Sequence, residues 1–257
     1  MFITGIIGYP LKTTISPALH NAAFKVLGMD GMYLRLPVRE KDLQGAVCGL
    51  HALGFSGANV TVPYKQRIID LVHRVVGSAI EIGAVNTIVN HSNRLYGYNT
   101  DIYGFGQSLE DYRVRVKGKM VALIGAGGAG SACAYVLQSM RPKTLIISDQ
   151  VRKRALACKR RFGGEVMIAS TLSNRLSEID IVVNATPENL QAMIIPHLRP
   201  GSVYYDINYT YKMMKRKGIK IINGMRMLVL QGAQSFCLWT GREMPVKKVL
   251  KHMGLKL

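Results

Sequence analysis

The sequence lacks the residue patterns of several common kinds of site. Its four cysteines are scattered over 257 residues without a Cys-x-x-Cys pair, and no His-Glu-x-x-His motif occurs. A disulfide framework and a zinc site are therefore not expected. No apolar run reaches the roughly 20 residues of a membrane-spanning helix. The start, Met-Phe-Ile-Thr-Gly-Ile-Ile-Gly, has no basic leader and predicts a buried strand rather than a signal peptide. Together these absences favour a cytoplasmic protein with reduced thiols, no metal and no membrane contact.

Acidic residues are also scarce. The chain has 15 acidic and 34 basic residues, a formal net charge of +19, and residues 103–224 alone hold 8 acidic and 19 basic ones. The positive electrostatic field of such a chain attracts anions. The net charge does not identify which anion binds, and both a dinucleotide phosphate and a nucleic acid are compatible with it. No basic stripe is interleaved with aromatic residues, so a nucleic acid is not the expected partner.

Apolar and polar residues alternate in a way that predicts an α/β protein of two domains. Residues 1–102, together with 225–257, are expected to form an open α/β domain to which the C-terminal helices return. Residues 103–224 read as strands separated by helices, the pattern of a doubly wound parallel sheet (Rossmann fold). In detail we expect, among others, a helix over Lys65–Val76, a strand over Val166–Ala169 and a helix over Met227–Leu238.

A glycine-rich loop is the clearest ligand motif. Gly125, Gly127 and Gly130 satisfy G-x-G-x-x-G directly between a Val-Ala-Leu-Ile strand and a helix, which is the context that dinucleotide binding requires. The first glycine permits a tight turn, the second lets the backbone approach a pyrophosphate, and the third packs helix on strand. The expected phosphate cradle comprises Gly125, Ala126, Gly127, Gly128, Ala129 and Gly130.

Asp149 ends the second strand of this predicted sheet. An acidic residue there hydrogen-bonds the ribose 2′-hydroxyl and repels a 2′-phosphate, which favours NAD over NADP. Arg152 follows at once with two further cations and can bind a phosphate. The alternative interpretation of Asp149 is a helix N-cap. The cofactor is therefore NADP or NAD.

Lys65 is the most informative single residue. It follows a short alternating strand and Pro63, a residue suited to a first helical position, so we predict that it lies in the first turn of a helix. A lysine there opposes the macrodipole at a cost of about 0.3–1 kcal/mol. It is either a tolerated surface lysine or a lysine used for proton transfer.

Several segments, taken together, resemble the shikimate dehydrogenase family over nearly the whole chain. They are Gly8–Asn21 with Thr14 and Ser16, Asn59-Val-Thr61-Val-Pro-Tyr-Lys65, Gly83–Thr87 with Asn86, Gly97–Asp101, Asp180–Pro187 with Thr186, and Asn223–Gln231.

The resemblance implies reduction of 3-dehydroshikimate to shikimate by a nicotinamide cofactor, in a monomer or homodimer. Lys65 and Asp101 would be the catalytic pair, sharing one cleft that faces the mouth of the glycine-lined fold. The residues implied to bind substrate are Thr14, Ser16, Asn59, Thr61, Asn86, Asp101, Tyr209 and Gln231. Beyond the glycine loop, the residues expected to bind cofactor are Asp149, Arg152, Thr186, Gly224 and Met227.

The chain departs from the family pattern at several positions. Thr14 stands where serine is usual, which leaves quinate or an amino analogue as alternative substrates. Asp149-Gln150-Val151 replaces an Asn-Arg-Thr phosphate clamp. Tyr211, Met214 and Arg226 replace the usual proline, threonine and glycine. A third possibility is that the chain is not an enzyme but a protein of the same fold that binds an anion or a nucleic acid.

Overall fold

The computed structural model describes residues 1–11 and 13–255 of the chain. Twelve strands and ten α-helices lie in these ranges. The strands are β1 (Phe2–Gly8), β2 (Gly31–Pro37), β3 (Gly57–Val60), β4 (Arg74–Val75), β5 (Thr87–His91), β6 (Arg94–Tyr98), β7 (Met120–Ile124), β8 (Thr144–Ser148), β9 (Glu165–Val166), β10 (Ile181–Asn184), β11 (Val203–Asp206) and β12 (Lys220–Ile222). The helices are α1 (Ser16–Val26), α2 (Leu43–Ala52), α3 (Ser78–Ile82), α4 (Asp101–Asp111), α5 (Gly128–Ser139), α6 (Arg152–Phe162), α7 (Ala169–Ser173), α8 (Gln191–Ile194), α9 (Met225–Thr240) and α10 (Val246–His252).

The chain divides into two compact units. Residues Met1–Gly104 and the chain from Leu228 onward form the first, and Phe105–Met227 form the second. Within the described ranges, every helix is too short or too polar to cross a bilayer.

The first unit is built on a mixed six-stranded sheet in the order β2-β1-β3-β5-β6-β4. β1 pairs in parallel with β2 and β3, whereas β5 runs antiparallel to both β3 and β6. β5 and β6 form a hairpin joined by Ser92 and Asn93, both at positive φ, as a two-residue hairpin turn requires. Apolar residues of the sheet and of α2, among them Ile7, Val47 and Ile88, form its buried core.

The second unit is the predicted doubly wound parallel sheet, in the order β12-β11-β10-β7-β8-β9. All five strand pairs are parallel. The chain order reverses between β7 and β10, so the loops that follow these two strands border the crevice in which such sheets bind ligands. The α/β fold class is confirmed.

Two predicted elements are wrong. No helix covers Lys65–Val76: a short 3₁₀ helix, Arg67–Leu71, is followed by β4. The Lys65 carbonyl accepts a hydrogen bond from the Val85 amide at 2.7 Å, so a long-range backbone partner replaces the helical one. The predicted strand Val166–Ala169 shrinks to β9, and Ala169 begins α7 instead.

Candidate functional site

The Lys65 ammonium and the Asp101 carboxylate form a close ion pair in the first unit. Lys65 Nζ lies 2.6 Å from Asp101 Oδ2, and the two side chains are 14 % and 7 % exposed. A pair this short and this well covered is held in one geometry, unlike the mobile pairs of an open surface. The predicted proximity of these two residues is confirmed.

The two partners reach the pair from different local structures. Asp101 is the first residue of α4, where its negative charge suits the positive end of the helix dipole. Lys65 lies in a turn rather than in a helix, so the predicted conflict with a helix dipole does not arise. The turn is anchored by its neighbour Tyr64, which is buried and donates a hydrogen bond to the Val38 carbonyl at 2.7 Å.

A second layer of polar groups surrounds Asp101. The Asn86 side-chain amide donates to Asp101 Oδ1 at 2.8 Å and to Thr100 Oγ1 at 3.0 Å. Gln231 Oε1 accepts from Asn86 at 3.4 Å and from Thr100 at 3.3 Å. The structure thus joins two further predicted substrate residues, Asn86 and Gln231, to the ion pair that contains Asp101.

Asn59 is buried below this layer and all of its amide hydrogens have partners. Its Nδ2 lies 3.0 Å from Ser235 Oγ, 3.1 Å from Thr87 Oγ1 and 3.2 Å from the Asn86 carbonyl. Its Oδ1 accepts from the Tyr33 hydroxyl at 2.7 Å. Tyr33 and Ser235 were not among the predicted site residues.

A weak sequence signal exists for one of these two additional residues. Ser235 follows Gln231 by four positions on α9, which places both on one helix face. Tyr33 has no such signal, because its approach to Asn59 depends on the pairing of β1 with both β2 and β3.

Thr14 and Ser16 lie together at the start of α1. Thr14 Oγ1 donates to Ser16 Oγ at 3.1 Å and accepts from the Ser16 amide at 3.2 Å. Ser16 is not the helix cap, since Ile15 holds that position without a side-chain hydrogen bond. The Ser16 side chain is buried, 4 % exposed. Burial raises the pKa of the Tyr33 hydroxyl well above its usual range, so this group remains a neutral donor.

The remaining two predicted substrate residues lie in loops. Thr61 follows β3, half-buried, and its amide donates to the Ile7 carbonyl at 2.9 Å. Tyr209 is half-buried in the segment after β11 of the second unit.

The glycine loop of the second unit has the geometry that a dinucleotide needs. Gly125 has φ +99°, and a Cβ at this position would lie 2.9 Å from the Ala185 backbone. A Cβ on Gly130 would press into the Gly125 carbonyl. The N-cap of α5 is Gly127, which has no side chain to bond the free amides of the first turn, and that turn carries no acidic residue. The segment therefore fits a pyrophosphate at the helix N-terminus.

Asp149 links this loop to the next helix. Its Oδ2 accepts from the Ala126 amide and its Oδ1 from the Val151 amide, both at 2.7 Å. The N-cap of α6 is Val151, so the helix-cap interpretation of Asp149 is wrong. Arg152, the first residue of α6, is exposed.

A buried carboxylate organises the loops after β10 and β11. Asp206 Oδ2 accepts from Asn184 and Tyr204 at 3.1 Å each, and its Oδ1 accepts from the Asn208 amide at 2.9 Å. Asn184 Oδ1 in turn binds the Thr186 hydroxyl at 2.8 Å, and Asn208 donates to the Thr186 carbonyl at 2.7 Å. Burial raises the pKa of Asp206, and the hydrogen bonds that it accepts oppose that shift.

The last two predicted cofactor residues lie at the start of α9. A Cβ on Gly224 would collide with the Ile207 carbonyl, so the chain is closely packed there. Met227 is 6 % exposed.

Three of the residues that depart from the family pattern, Tyr211, Met214 and Arg226, have partners within the second unit. Arg226 pairs with Asp111 and lies over the Tyr112 ring, 5.3 Å from its centroid. The Tyr211 hydroxyl donates to the Pro187 carbonyl at 2.7 Å. The backbone amide of Met214 donates a hydrogen bond to the side-chain oxygen of the buried Gln191 at 2.7 Å.

Three family models match successive parts of the chain. They are the shikimate dehydrogenase substrate binding domain over residues 6–88, the shikimate/quinate 5-dehydrogenase over 108–197, and the shikimate 5′-dehydrogenase C-terminal domain over 224–253.

Individual proteins match over almost the full length. The shikimate dehydrogenase (NADP(+)) of Carboxydothermus hydrogenoformans is 41% identical, over 98% of this chain and 96% of its own. The crystal structure of shikimate dehydrogenase from Aquifex aeolicus superposes with a TM-score of 0.90 at 32% identity, covering 98% and 97% of the two chains. Quinate dehydrogenase from Corynebacterium glutamicum, in complex with NAD, has a TM-score of 0.86 at 29% identity and covers 99% of each chain.

Proposed function

The chain belongs to the shikimate dehydrogenase family, and we propose that it catalyses the reversible, nicotinamide-dependent reduction of 3-dehydroshikimate to shikimate on the route to chorismate and the aromatic amino acids. The observation that carries this proposal is the covered ion pair of Lys65 and Asp101, adjoined by Asn86 and Gln231. Cationic, carboxylate and amide groups so arranged suit a ring with several hydroxyls and one reacting oxygen.

In this mechanism the chain's own residues handle the proton. When bound, the nicotinamide ring supplies or accepts the hydride at the substrate carbon. In the reductive direction the Lys65 ammonium donates its proton to the carbonyl oxygen on which negative charge develops. In the oxidative direction the neutral amine takes that proton back from the hydroxyl. Asp101, 2.6 Å away, holds the amine in position throughout.

Replacement of Lys65 tests this assignment directly. We expect Lys65→Ala to lower kcat by roughly 10²–10⁴-fold while the KM for shikimate changes far less, because a proton donor acts mainly in the transition state. Absorbance of the reduced nicotinamide measures both constants. The matched control is Lys248→Ala, which removes an exposed lysine of α10. Near-normal turnover by Lys65→Ala would remove the residue from the mechanism.

We propose that Thr14 and Ser16 bind the substrate carboxylate, and that Thr61 and Tyr209 complete the substrate contacts. The alternative substrate is quinate, since the threonine at position 14 adds a methyl group beside the Ser16 hydroxyl. The ratio of kcat/KM for shikimate and quinate decides between them. Thr14→Ser removes that methyl group alone, so it should shift this ratio if the methyl group selects the substrate.

The proposed cofactor is NADP. Two observations support it. The relative from Carboxydothermus hydrogenoformans is named a shikimate dehydrogenase (NADP(+)). In addition, α6 begins with Arg152, Lys153 and Arg154 and has no acidic residue in its first turn. These cations suit a 2′-phosphate. Asp149 favours NAD as the alternative, although both of its carboxylate oxygens already accept backbone hydrogen bonds.

The other proposed cofactor contacts follow the crevice of the second sheet. The glycine loop would hold the pyrophosphate, and Thr186, Gly224 and Met227 would line the nicotinamide half.

Replacement of Arg152 tests the proposed contact with the 2′-phosphate. The Arg152→Ala variant should have a lower kcat/KM with NADP and an unchanged kcat/KM with NAD. Equal losses for both cofactors would contradict the phosphate role.

A further inference from the structure

Asn59 lies too deep, and has too few free hydrogen-bonding groups, for the role that the family resemblance implies. Its side chain is 5% exposed. A primary amide has two N–H groups, and three acceptors already lie within 3.2 Å of Nδ2. A substrate hydroxyl that accepted from this amide would displace a buried partner, which costs about as much as the new bond provides.

The partners of Asn59 lead in two directions. From Oδ1 the path runs to the hydroxyl of Tyr33, a buried residue of β2. From Nδ2 it runs to the Asn86 carbonyl and to Ser235.

Ser235 extends the second path. It is fully buried, and its hydroxyl lies 2.9 Å from Thr87 Oγ1 and 3.1 Å from Thr100 Oγ1. Thr87 donates to Asn86 Oδ1 at 2.9 Å. The Asn86 Nδ2 group donates both to Thr100 Oγ1 and to Asp101 Oδ1.

We propose that Asn59 is a positioning residue rather than a substrate ligand, and that Tyr33 and Ser235 hold it in the orientation in which it fixes Asn86 beside Asp101. This inference rests on the proposed function. Its physical basis is cooperativity: in a buried, fully satisfied network each hydrogen bond restricts the next, so the loss of one distant hydroxyl loosens the groups that contact substrate.

Single hydroxyl deletions test the network. Tyr33→Phe and Ser235→Ala should each raise the KM for shikimate by roughly 3–10-fold, with kcat less affected and the KM for the cofactor unchanged. The matched control is Ser202→Ala in the second unit, which removes an equally buried hydroxyl that donates to the Ile179 carbonyl at 2.9 Å. It should leave the KM for shikimate unchanged.

A substrate analogue separates positioning from direct contact. For each ring hydroxyl, we compare Asn59→Ala with the unaltered protein on shikimate and on the analogue lacking that hydroxyl. Positioning predicts that the loss caused by Asn59→Ala persists with every analogue. Direct contact predicts that it disappears with one of them.

The proposal is overturned if the loss disappears in that way, or if Tyr33→Phe and Ser235→Ala behave like Ser202→Ala. Since Asn59→Ala opens a buried cavity and can impair folding, the two hydroxyl deletions keep the test decisive. Failure of the proposed function gives a different result: the unaltered protein would then turn over shikimate with neither NADP nor NAD.

Discussion

At the scale of single residues, Asp149 joins two loops through one carboxylate. An asparagine at this position has one acceptor oxygen, so either the Ala126 or the Val151 amide would face an NH₂ group instead. We therefore expect Asp149→Asn to raise the KM for both cofactors. If the charge also repels a 2′-phosphate, kcat/KM for NADP relative to NAD should rise as well.

Steady-state constants with each cofactor separate these two effects of Asp149→Asn. A common rise in both KM values reports the loop connection, and a changed ratio reports the charge. Unaltered KM values would contradict the loop connection, and an unchanged ratio would contradict the contact with the ribose.

His20 is a second residue with a measurable consequence. It is fully buried, its ring stacks on Tyr33 at 4.3 Å, and neither ring nitrogen has a hydrogen-bond partner. Burial lowers the pKa of His20 from 6.5 to about 3. The unfolded chain therefore binds this proton near pH 6.5 and the folded chain does not, so the stability contributed by neutral burial is lost as the pH falls below 6.5.

Unfolding in urea at pH 7 and pH 4.5 measures this dependence. Between pH 7 and pH 4.5, the free energy of unfolding of the unaltered protein should fall by about 2–3 kcal/mol more than that of His20→Leu. His91→Leu makes the same change at an exposed position and is the control. Parallel losses in the unaltered protein and His20→Leu would show that His20 does not contribute.

At the scale of elements, Gly127 at the N-cap of α5 and Gly130 in its first turn separate packing from ligand approach. A Cβ on Gly130 would press into the Gly125 carbonyl, whereas a Cβ on Gly127 meets nothing within 4 Å and has an ordinary φ of −76°. Gly130→Ala should therefore lower the melting temperature. Gly127→Ala should leave the melting temperature within about 2 °C and raise the cofactor KM about tenfold or more, because only the ligand approaches there.

Thermal unfolding and cofactor titration of the two glycine variants provide the check. A Gly127→Ala variant with normal cofactor affinity would show that the pyrophosphate binds elsewhere.

Some elements were predictable from local pattern and others were not. The helix predicted over Met227–Leu238 lies within α9, because apolar residues recur there at helical spacing. The helix predicted over Lys65–Val76 failed because the Lys65 carbonyl pairs with Val85, a contact 20 residues away in sequence. Local propensity contains no information about such a partner.

At the scale of the whole molecule, the charge of +19 predicts an effect of ionic strength on cofactor binding. NADP carries one phosphate group more than NAD, so a positively charged protein attracts NADP more strongly. Salt screens this additional attraction. We expect the KM for NADP to rise several-fold between 25 and 400 mM KCl, and to rise more than the KM for NAD. A salt-independent ratio of the two KM values would assign the preference to short-range contacts alone.

Residue types and motifs along the chain were enough to predict the family and the α/β class, and the resemblance to that family implied the pairing of Lys65 with Asp101. Two contacts became visible only in the folded chain: Asn59 is enclosed by Tyr33, Thr87 and Ser235, and Asp149 holds the glycine loop. Those contacts join segments far apart in sequence. Which polar groups a side chain meets after burial is set by strand order and helix packing, and no local pattern records it.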